Sequence, residues 1–113
     1  MSTYETHELH RKEALRTHWY QGSYAQMKEV IFKVADEMGM NVIDVNDTYQ
    51  EFLLDGDYDL VIKVCSYGRY EQGVDFNLTT RIFFDFGQGK RLVTEWYRRL
   101  GTYLKFKGIS LHP

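Results

Sequence analysis

The sequence predicts an α+β fold: a single domain in the order β-α-β-β-β-β-α, a curved antiparallel sheet with two helices packed on one face. Three observations carry that expectation. Between residues 41 and 86 apolar side chains recur at every second position in four runs, the spacing of half-buried strands. Flanking this block, residues 24–38 and 89–106 repeat their apolar positions at helical spacing. The breaks between the runs are short and rich in Asn, Asp and Gly, so consecutive strands turn back on one another.

Residues 1–12 show no clear period and are expected to form an N-terminal arm or a frayed helix, leaving 13–113 as the domain. Lys12 to Gln21 reads two ways: Leu15 and Trp19 stand four apart as on a helix, while Leu15, Thr17 and Trp19 alternate as in a strand. The strand is preferred because a helix start follows at once. Ser23 and Gln26 have capping-box spacing, in which the serine oxygen takes the amide of Gln26 and the glutamine reaches back. The helix from Tyr24 to Met38 then places Met27, Val30, Ile31, Val34, Ala35 and Met38 on one face, and Gly39 ends it.

The alternating runs are NVIDV, TYQEFLL, DLVIKVCSY and the stretch from Val74 to Phe86, separated by Asn46-Asp47, by the hairpin signal Asp55-Gly56, and by Gly68 to Gly73. The last run would be roughly 43 Å long at about 3.3 Å per residue, so a bend or bulge is expected within it. Its apolar parity should face the helices, which leaves Asp75, Asn77, Thr79 and Arg81 as a solvent row. A closing helix from Gly89 to Phe106 carries Leu92, Val93, Trp96, Leu100, Tyr103 and Leu104 as its stripe, followed by Gly108. In this order of elements the chain resembles the half-repeat of the TATA-box-binding protein and, more loosely, helix-grip domains that clasp a ligand between sheet and C-terminal helix. The likeness is one of element order, without a shared motif, and implies no residue role.

At 113 residues the chain can bury one core without metals or disulfides. Nine tyrosines and seven phenylalanines argue against disorder. The single cysteine, Cys65, asks for no oxidising compartment, and neither a secretory h-region nor a spanning apolar run is present, so a cytoplasmic location without membrane insertion is expected. Net charge is −2. Residues 23–85 hold five Lys/Arg against twelve Asp/Glu and residues 86–113 six against one, so the basic charge is concentrated after residue 85.

Motifs that would carry chemistry fail on spacing. FGQGK has Phe84 where a phosphate loop needs glycine and Arg91 where it needs a hydroxyl, so Gly87 and Gly89 read as punctuation before a helix. DGDYD has Leu60 and Ser66 where a calcium loop needs glycine and glutamate, and its carboxylates read as the flanks of a hairpin turn. HELH is one residue short of a zincin motif, and no second ligand cluster accompanies it, so no metal or cofactor is expected. Cys65 has no surrounding thiol-enzyme signature, and no GxSxG elbow occurs.

Two features remain. Lys90, Arg91, Arg98 and Lys105 fall on one side of the closing helix, opposite Trp96 and Leu100, a candidate contact for an anion. Phe83 interrupts the polar row on the parity of Arg81 and Asp75 and needs cover, by the arm or by a second subunit, which makes these three residues a candidate homodimer interface. The function expected is that of a non-enzymatic binding or regulatory module taking a small apolar ligand or a protein partner between sheet and C-terminal helix. The alternative is an anion or nucleic-acid binder acting through the basic helix face, with nucleic acid disfavoured by the net charge.

Overall fold

The computed structural model describes residues 3–81 and 87–110. Among them seven strands form one antiparallel sheet: β1 (Thr3–Glu5), β2 (His18–Gln21), β3 (Asn41–Asn46), β4 (Glu51–Asp55), β5 (Tyr58–Tyr67), β6 (Glu71–Thr80) and β7 (Phe106–Ile109). Helix α1 (Tyr24–Glu37) follows β2, helix α2 (Gln88–Tyr103) follows β6, and a 3-10 turn covers Glu13–Leu15. Across the sheet the order is β3-β4-β5-β6-β2-β7, with β1 pairing the far half of β6. No helix among the described residues is long and apolar enough to cross a membrane.

The alternating pattern decides which sheet face is covered. Phe52, Leu54, Leu60, Ile62, Val64, Val74, Phe76 and Leu78 share one parity and are buried with Met27, Ile31, Val34, Val93, Trp96 and Leu100 in a single core. Both helices therefore lie on one face of the sheet, and the chain is one α+β domain. The capping box forms, with Gln26 N donating to Ser23 Oγ at 3.1 Å and Ser23 N to Gln26 Oε1 at 2.8 Å. At the other end Met40 N donates to the Ala35 carbonyl and Gly39 N to that of Asp36, the paired bonds that a left-handed Gly39 (φ 70°) allows. Trp96 buries its indole with a bond from Nε1 to the Tyr58 hydroxyl at 2.9 Å.

The structure corrects three expectations. The long run is not one strand to Phe86: β6 begins at Glu71, inside the stretch assigned to a turn, and ends at Thr80. To Thr80 it pairs with β5 in unbroken register, and the chain bends at Arg81, where the expected bend of the long run falls; register shifts also occur between Val42 and Asp44 and between Trp19 and Tyr20. Helix α2 stops at Tyr103, because the chain turns there to lay Phe106–Ile109 beside β2, so Lys105 stands beyond the helix and β7 is an added strand. Between Lys12 and Gln21 a 3-10 turn precedes a four-residue strand, so the segment is strand only from His18. Residues 82–86, with Phe83, lie outside the described residues.

The N-terminal arm is part of the sheet. β1 and β2 both pair the same edge of β6, and between them Asp75 accepts the hydroxyls of Thr6 (2.7 Å) and Thr17 (2.8 Å). Thr6 Oγ1 also takes the amide of Phe76 at 2.9 Å, and the Tyr97 hydroxyl, which donates to the Val74 carbonyl, lies 3.0 Å from it. The expected solvent row is thus partly covered: Asn77 donates to Glu5, and Thr79 meets Thr3. On the same face Trp19 is buried against Gly73, where a Cβ would lie 2.8 Å from its ring, and its indole nitrogen donates to Glu8 at 3.3 Å. Tyr4 packs where a side chain on Gly89 would stand, which fastens the arm to the start of α2.

Candidate ligand groove

β7 matters because of what it encloses. Together with β2 it forms a wall that faces the C-terminal half of α2, and the space between them is a groove of about 380 Å³. From the sheet come His18, Tyr20, Phe106 and Ile109; from α2 come Thr94, Tyr97, Arg98, Gly101 and Thr102; Ala14 of the 3-10 turn closes one side. This size lies within the usual range of small-molecule sites, about 300–1,000 Å³.

The rings are held by the fold rather than by one another alone. Tyr97 is buried in the core, and the imidazole of His18 lies flat on its ring, centroids 3.6 Å apart and planes 8° apart. Phe106 tilts against His18 at 5.5 Å and meets Tyr20 edge-on at 5.7 Å. Tyr20 donates its hydroxyl to the Tyr97 carbonyl at 2.9 Å, a bond that ties β2 to α2. Burial pushes the hydroxyls of Tyr20 and Tyr97 well above their ordinary range, so both stay neutral donors.

His18 has its Nδ1 2.8 Å from the Arg16 carbonyl. A carbonyl accepts only, so Nδ1 carries the proton and Nε2 is the lone-pair nitrogen of the neutral ring. Burial lowers the His18 pKa, against the opposing effect of the Arg16 carbonyl, and so favours the neutral ring. The two threonine hydroxyls of the groove are engaged with helix carbonyls: Thr94 donates to Lys90 O at 2.9 Å and Thr102 to Arg99 O at 2.6 Å.

Arg98 is the charged residue of the groove wall. Its Nε and Nη2 donate to the two oxygens of Glu95 at 2.9 and 2.7 Å, which fixes the plane of the guanidinium. Glu95 also accepts from Arg99 at 2.6 Å, and this double pairing, Arg98 first, holds its carboxyl at about 2. Arg99 continues to Glu37 at 3.0 Å, and the Tyr103 hydroxyl donates to the same carboxylate, so the network joins α2 to α1.

The four basic residues singled out in the sequence are divided by this geometry. Lys90 and Arg91 line a separate hollow of about 440 Å³ with Gly87, Thr94 and Glu95, Arg98 belongs to the groove, and Lys105 is in the connection to β7, with its carbonyl accepting from Gln21. Of the suggested interface residues, Asp75 is half-buried under the arm, and Arg81 pairs with Asp59 at 2.6 Å on the surface. His7 and His10 tilt together at 5.0 Å, and no group of three metal-ligating side chains forms among the described residues. The sequence reading missed His18, Tyr20, Phe106 and Ile109. The signal available was the FKGI run after α2, apolar at both ends, and Gly101, an unusual residue inside an amphipathic helix.

Compared with protein-family models, with curated proteins and with solved structures, the chain has no match in any of the three, so the function of the groove is argued from its own residues.

Proposed function

We propose that the protein is a non-enzymatic binding module whose ligand, a small and largely apolar molecule, lies between the C-terminal helix and the β2–β7 wall. The observation that carries this reading is the groove itself: four rings and Ile109 line a space of about 380 Å³ beside the core. Gly101 supports it. A Cβ there would meet only Tyr20 Cε1, at 3.9 Å, so the core does not require glycine at this position, although glycine in a helix costs about 0.5–1 kcal/mol relative to alanine. What glycine leaves is room beside the aromatic wall. The helix-grip likeness of the element order belongs to the same proposal. The four groove hydroxyls all donate to backbone carbonyls, and His18 is oriented by a backbone carbonyl rather than a carboxylate, an arrangement suited to holding a ligand.

The test is a titration of the ¹⁵N-labelled protein with naphthalene, followed by amide shifts. Saturable shifts at His18, Gly101 and Phe106, lost in Gly101→Trp while the fold is retained, are expected. Shifts confined to residues away from the groove, or shifts unaltered by Gly101→Trp, refute the assignment.

A further inference from the structure

We infer that the ligand is a planar aromatic acid, with one or two rings stacked in the groove and a carboxylate at its mouth held by Arg98; the inference rests on the groove reading above and names its ligand class. The shape argument comes from the rings. His18 stacks on Tyr97, Phe106 tilts against His18 and meets Tyr20 edge-on, and all four rings line the groove. Such walls favour a flat guest that stacks or meets ring edges, the geometries in which the quadrupoles attract. The volume sets the size. A dry cavity of about 150 Å³ holds one benzene, so about 380 Å³ takes a two-ring system with a short polar substituent.

The charge argument comes from Arg98. It is the charged residue of the groove lining, and no carboxylate lines the groove among the described residues. Taken whole, the network of Arg98, Arg99, Glu95 and Glu37 is balanced, but of these four residues Arg98 alone lines the groove. Glu95 engages Nε and Nη2, which leaves Nη1 as a donor in a plane already set. A preset guanidinium loses less rotamer freedom on taking a carboxylate, and the resulting bond is charge-assisted. The uncharged groups of the groove cannot make this discrimination, because Thr94 and Thr102 are committed to carbonyls and the neutral His18 offers an acceptor, which an anion avoids.

The matched pair 2-naphthoate and 2-naphthamide separates the shape argument from the charge argument. In calorimetric titrations of the intact protein at pH 7.5, the acid should bind at least about tenfold more tightly than the amide, the ratio expected for one charge-assisted bond. Arg98→Gln should bring the acid to the level of the amide and leave the amide unchanged; Arg98→Lys should recover part of the difference. Arg98 is more than half exposed, so both variants should fold, and thermal melts verify this. Equal binding of acid and amide, or an acid affinity unmoved by Arg98→Gln, overturns the anionic-ligand inference and leaves the apolar groove standing. Binding of neither compound, with naphthalene also silent, overturns both readings together.

Discussion

Single residues in this protein are constrained by contacts that a one-dimensional pattern does not display. Gly73 is the clearest case. In the sequence it reads as the end of a turn, yet it lies within β6, because β2 crosses there with Trp19 directly opposite and the indole occupies the place of a side chain. Gly73→Ala should cost about 1–3 kcal/mol, the usual range for overpacking, and far less in a Trp19→Leu background. Urea denaturation of the four proteins in the cycle measures this, and an equal cost in both backgrounds would show that the ring is not the cause. Gly101 should behave in the opposite way: with Tyr20 3.9 Å from the added methyl, Gly101→Ala should stabilise the protein by about 0.5–1 kcal/mol. Loss of stability in the same assay would show that the helix is closer to the sheet than this spacing allows. Asp75 was legible as a polar residue on the uncovered parity. Its neighbours were not, since Thr6 and Thr17 reach it from positions 69 and 58 residues away in sequence.

At the scale of elements, period and local chemistry gave what they physically encode. The α1 boundaries followed from the Ser23–Gln26 box and Gly39, both local, and the alternation in β4 and β5 marked their buried faces because the core lies on one side only. β1 and β7 were not legible, because three- and four-residue strands at the ends of the chain carry too little pattern to differ from loops, and pairing with β6 and β2 is what makes them strands. The arm should consequently be a structural part of the fold. Thr6→Val would leave the Phe76 amide without its acceptor and remove one of the hydroxyls donating to the half-buried Asp75, a loss of about 2–3 kcal/mol. Thr3→Val, at an exposed hydroxyl 3.4 Å from Thr79, should change stability by less than about 0.5 kcal/mol. Denaturant midpoints compare the two directly, and similar values for both variants would mean that the arm does not dock on β6 in solution.

For the molecule as a whole, Tyr97 links two places where a titratable group is partly buried. Its ring carries His18 at the groove, and its hydroxyl lies at the Thr6–Asp75 cluster under the arm, so both titrations act on the same helix-to-sheet contact. The signs are opposite. Burial lowers the His18 pKa from 6.5, so the unfolded chain takes up that proton first; the stability that neutral His18 contributes is present above pH 6.5 and is lost as pH falls through the lowered value. Burial raises the Asp75 pKa from 3.8, against the hydroxyls of Thr6 and Thr17; the folded protein then holds that proton longer, and stability falls as pH rises from 3.8 through the raised value. His10 is also lowered, by burial and by His7, and adds to the first slope from the surface of the arm. Melting temperature should therefore decline as pH is lowered from 7 toward 5. His18→Phe keeps a ring on Tyr97 without the titration and should flatten that decline, whereas Asp75→Asn should steepen any part of it that Asp75 opposes. Thermal melts at half-unit pH steps decide the matter: a His18→Phe profile parallel to that of the wild-type chain below pH 6.5 would place the titration outside the groove, on His10 and the arm.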